Sequence, residues 1–67
     1  MNIKKAIKLY KQGMKFSDIM ELCDLNSEHM KAVDYGTRSN QPEWKIAQVA
    51  NQTHEDIKAI EIEQLFN

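Results

Sequence analysis

Between residues 1 and 15 the chain places Lys4, Lys5, Lys8, Lys11 and Lys15 and no acid. Lys4, Lys8, Lys11 and Lys15 recur at steps of four, three and four, which sets four ammonium groups on one stripe of a helix. Such a stripe has two readings, a solvated face and a contact for phosphate. The first fifteen residues carry +5 and the rest -6, so a basic helix is joined to an acidic body, and the net charge of -1 by itself points to no class of partner. Cys23, His29 and His54 are too few and too scattered for a structural zinc site, and a single cysteine rules out an internal disulfide. Cys23 reads as a small apolar filler, and both histidines read as surface residues in the first turns of helices. No nucleophile is paired with a base, there is no glycine-rich phosphate loop, and 67 residues are too few to wall off a cleft. The sequence therefore predicts neither an enzyme nor a cofactor.

The elements that must carry these groups are short helices. Ile3, Ile7, Tyr10 and Met14 trace one apolar stripe over residues 2–12, with Gly13 as a left-handed residue after it. Ser17 is the expected cap of a second helix over 17–23, whose buried side is Ile19, Met20, Leu22 and Cys23. Asp24-Leu25-Asn26 breaks that helix around an apolar plug, and Ser27 is expected to cap a third helix carrying Met30 and Val33 and ending near Tyr35. Residues 36–41 read as a loop, closed by Pro42 at the first turn of a fourth helix over 42–51. Trp44 reads there as a partly buried packing residue, and Tyr10 and Phe16 read as core. Thr53 and Asp56 suggest a capping box opening a fifth helix with Ile57, Ile60 and Gln64 on its core face. Ile62, Leu65 and Phe66 then point elsewhere, which predicts a homodimer interface or a docking site for another protein. Nothing reads as a strand, so residues 1–67 are expected to form one all-α, five-helix domain.

Two helices meeting around an apolar plug are what a helix-turn-helix needs. The run Gly13 to Asn26, with Val33-Asp34-Tyr35-Gly36-Thr37-Arg38 and Ile46-Ala47-Gln48-Val49-Ala50, resembles the Cro-like and lambda-repressor-like helix-turn-helix family, also called the XRE family. The resemblance covers nearly the whole chain. It implies five helices, a DNA-reading unit made by the second and third, and a loop of acidic-x-Gly-x-Arg type matched by Asp34, Gly36 and Arg38. It also places the reading surface on Asn26, Ser27, Glu28, Lys31 and Ala32, with Lys15 and Ser17 near one phosphate strand and Arg38 near the other. The chain departs from the family at Phe16, where a phosphate-binding glutamine is usual, at Met20, where a small alanine is usual, and at Asp24, where glycine is usual.

These features predict a small transcriptional regulator of phage or mobile-element type, binding duplex DNA as a homodimer through helix 3 in the major groove. The alternative is a protein of the same fold that has lost direct DNA binding and acts on another repressor or regulatory protein, as an antirepressor or inhibitor; Phe16, Glu28 and the charge balance favour it. No apolar run approaches the length of a membrane span and none resembles a secretory signal, so a cytoplasmic location is expected, with no membrane partner and no small-molecule substrate.

Overall fold

A computed structural model describes residues 1–53 and 57–67 as five α-helices in the order α1 (Ile3–Lys11), α2 (Phe16–Cys23), α3 (Ser27–Arg38), α4 (Glu43–Gln52) and α5 (Ala59–Leu65), with no strand among the described residues. The expectation of an all-helical chain with five helices is met. No helix among the described residues is long and apolar enough to cross a membrane. The longest helix, α3, packs against each of the other four. The molecule measures 26 × 23 × 16 Å.

Local chemistry accounts for most of the boundaries. Asn2 caps α1 by accepting the Lys5 N–H at 3.1 Å, and Lys8 and Lys11 in the last turn complement the carbonyl end of the dipole. Ile3, Ala6 and Ile7 are its buried stripe, and Gly13 follows at φ 89°, as expected from the sequence. The expected Ser17 cap is not made: α2 starts one residue earlier, with Lys15 extended before it and Ser17 inside the first turn. The third helix is capped by Asn26 rather than Ser27. Asn26 Oδ1 accepts the His29 N–H at 2.9 Å, and His29 Nδ1 accepts the Asn26 N–H at 3.2 Å. This reciprocal pair satisfies two N–H groups that the first turn leaves open.

The largest departure from expectation is at the end of α3. Gly36 does not terminate the helix; it lies within it, buried, and the helix continues to Arg38. A methyl group at Gly36 would lie 2.5 Å from Ile46 Cγ1 and 2.9 Å from Phe66 Cζ, so α4 and the end of α5 can close on α3 only where that methyl is missing. The expected acidic-x-Gly-x-Arg loop is therefore helical, and the connection to α4 is reduced to residues 39–42, with Asn40 left-handed at φ 61° and Pro42 as the cap rather than the first helical residue.

The C-terminal helix reverses its expected faces. It begins at Ala59, with the Lys58 N–H donating to Glu61 Oε2 at 2.9 Å, so Ile57 lies before it and sets no helical phase. Ile62 is 0% exposed and Phe66 is buried, whereas Ile60 is 64% exposed. The predicted interface of Ile62, Leu65 and Phe66 is thus corrected: two of the three complete the core and Leu65 is half-buried against it. The expected Thr53–Asp56 capping box falls on Asp56, which like His54 lies outside the described residues; Thr53 Oγ1 donates to the Ala50 carbonyl at 2.8 Å. Three other core assignments also fail. Phe16, expected in the core, is exposed at the start of α2. Leu22 is exposed on α2, and Trp44 is 69% exposed.

Candidate nucleic-acid interface

The turn between α2 and α3 is built by three residues with distinct roles. Asp24 adopts the left-handed conformation at φ 56°, ψ 52°, which an aspartate tolerates better than most residues do. Leu25 is buried as a plug and donates its N–H to the Met20 carbonyl at 2.9 Å. Asn26 closes the turn as the cap of α3. Behind the plug, Ile19, Cys23, Met30 and Val33 are buried, so α2 and α3 are locked together and the first turns of α3 present Ser27, Glu28 and Lys31 outward.

Most of the polar groups on this face already have partners. Asn26 is engaged in the cap. The N–H of Glu28 itself and, after it, Ser27 Oγ, which donates to Glu28 Oε1 at 3.0 Å, hold the Glu28 carboxyl below its usual range. Glu28 therefore remains an anion on the outer face of α3 at any neutral pH. Lys31 Nζ donates to the Ile57 carbonyl at 3.3 Å. Arg38 grips Asp34 through Nε at 2.9 Å and a second nitrogen at 3.3 Å, a two-point ion pair that raises the guanidinium pKa further. Ala32 is 0% exposed, so its expected place on the reading surface is corrected: its methyl belongs to the core. Lys15 and Ser17 are exposed at the start of α2.

Two surface features stand out, of which the first was not anticipated as a site and the second is the lysine stripe read from the sequence. Phe16, Met20 and Met30, with Ser27, Lys31 and Asp34 at the rim, line a groove of about 260 Å3 between α2 and α3. Phe16 is 46% exposed there and stacks at a tilt on Tyr10, with ring centroids 5.7 Å apart. The signal for this groove is visible in the sequence as two apolar residues four apart, Phe16 and Met20. Lys4, Lys5, Lys8 and Lys11 line a second, open depression of about 630 Å3 with Asn2, Ile7 and Glu43. Among the described residues the ion pairs are Arg38–Asp34 and the N-terminal amine with Asp24 at 3.9 Å, and none involves an α1 lysine.

Charge is thus divided between two surfaces. Residues 15–38 hold Lys15, Lys31 and Arg38 against Asp18, Glu21, Asp24, Glu28 and Asp34, a net of -2, while the positive charge is gathered on α1. No protein-family model, no curated protein and no solved structure matches the chain.

Proposed function

We propose that α2, the three-residue turn and α3 form a helix-turn-helix and that the chain is a small transcriptional regulator binding duplex DNA, with the first turns of α3 entering the major groove. The observation that carries this reading is the turn itself: a left-handed first residue, a buried leucine plug and a capped second helix that leaves Ser27 and Lys31 outward. Lys31 suits guanine O6 and N7 or a phosphate, and Glu28 suits the amino group of cytosine. With so few free donors, affinity for a single half-site is weak, and two copies on adjacent half-sites supply the rest.

The test is fluorescence anisotropy of a labelled duplex taken from upstream of the gene itself, titrated at low and moderate salt beside an unrelated duplex. Saturable binding that prefers the upstream duplex and weakens steeply with salt is the expected result. Lys31→Ala should keep the fold and weaken binding by about 1–3 kcal/mol. Absence of binding at low salt would leave the second reading, a protein that docks on another regulator. The Phe16–Met20–Met30 groove favours that alternative, since it places apolar surface where a DNA-reading face carries hydrogen-bonding groups.

A further inference from the structure

We infer that Lys4, Lys8 and Lys11 of α1, beside Glu43 at the start of α4, hold the phosphate backbone of the duplex. This assignment rests on the reading that the chain binds duplex DNA, and it names the surface that supplies the electrostatic part of that binding.

Three observations converge on it. The lysines are exposed, they line one open depression, and none is neutralised by a carboxylate among the described residues. The α2–α3 face instead carries an excess of acids, and its Arg38 is paired with Asp34. Spacing fits a polyanion: seven residues of helix at 1.5 Å each put Lys4 and Lys11 about 10 Å apart along the axis. One strand of duplex presents a phosphate every ~3.4 Å of its axis, so this row spans about three.

The apolar side of α1 decides against the other common polyanionic partner, an anionic membrane. Ile3, Ala6 and Ile7 are buried in the core, so α1 has no apolar face left to insert beneath headgroups. Glu43 is the one acid in the depression, and its carboxylate opposes a bound phosphate. That gives the site a variant whose predicted effect is a gain.

The experiment measures anisotropy of a random-sequence duplex against salt for the wild type, for the triple variant Lys4→Gln/Lys8→Gln/Lys11→Gln, for the triple Lys→Arg variant at the same positions, and for Glu43→Gln. Circular dichroism confirms the fold of each. The glutamine variant should flatten the log–log salt slope by about 2.7, at 0.9 per lost phosphate contact, and bind at least about tenfold more weakly at low salt. The arginine variant should restore both quantities, and Glu43→Gln should tighten binding about twofold by removing a nearby like charge. A wild type that binds while the glutamine variant keeps its slope and affinity overturns the α1 assignment alone. A wild type that binds no duplex overturns the DNA reading together with it. Preferential binding to phosphatidylserine vesicles, lost in the glutamine variant, would move the site to a membrane surface.

Discussion

Gly36 shows how a single side chain, or its absence, sets the packing of this molecule. Alanine in place of glycine in a helix usually gains about 1 kcal/mol, but here the added methyl meets Ile46 and Phe66 at overlapping distances. Overpacking of a core costs ~1–3 kcal/mol, so Gly36→Ala should lower stability, measured by urea denaturation, instead of raising it. Tyr10 offers a second check. Its hydroxyl donates to Asp34 Oδ1 at 2.5 Å, and that bond is the main cause of a phenol pKa raised above the ordinary 10.0. The neutral phenol is the form that the fold stabilises, so this contribution is complete below pH 10 and is lost as pH rises through the raised value. Tyr10→Phe should therefore cost about 1 kcal/mol at neutral pH and remove that part of the alkaline decline, read from unfolding midpoints at neutral and alkaline pH. The sequence displayed the chemical types of these residues but not their partners. A glycine after an amphipathic stretch ordinarily marks a helix end, and only the approach of α4 and α5, contributed by residues far along the chain, gives it another use.

At the scale of the element, the turn between α2 and α3 was the most legible part. A polar residue, a leucine and a capping residue in succession specify a break with a buried plug, and Leu25 occupies that place. Asp24, standing where glycine is usual, is of a type that tolerates the left-handed backbone better than most, and it adopts that conformation. Glycine fills the position without strain, so Asp24→Gly should stabilise the protein by up to about 1 kcal/mol, with little cost from the exposed ion pair to the N-terminal amine. A thermal melt that falls instead would show that the Asp24 carboxylate contributes more than its exposure implies. The fifth helix was read least well, for a geometric reason. Once it starts at Ala59 rather than near Thr53, Ile57 no longer sets its phase, and Ile62 and Phe66, four residues apart, become the inward pair.

For the whole molecule, that inward pair means that α5 is part of the core and no appendage. A chain ending at Gln52 would lose Ile62 and Phe66, and large-to-small changes at buried sites cost ~2–5 kcal/mol each. Against a total stability of about 5–15 kcal/mol, the shortened chain should give no cooperative thermal transition, which calorimetry would reveal. The dimensions of the molecule also bear on how it would read DNA. A longest extent of 26 Å is shorter than the ~34 Å turn of the duplex, so on the proposed DNA-binding reading one copy would cover one half-site. The basic and acidic stretches were visible in the sequence as charge blocks, whereas the depression that the lysines form with Glu43 emerged only with the packing.

The exposed indole of Trp44 gives the protein a selective optical property. Its ring is already hydrated in the native state, so its emission colour should hardly change as the chain unfolds. A fluorimeter set to emission colour would thus be nearly blind to the melting of this molecule.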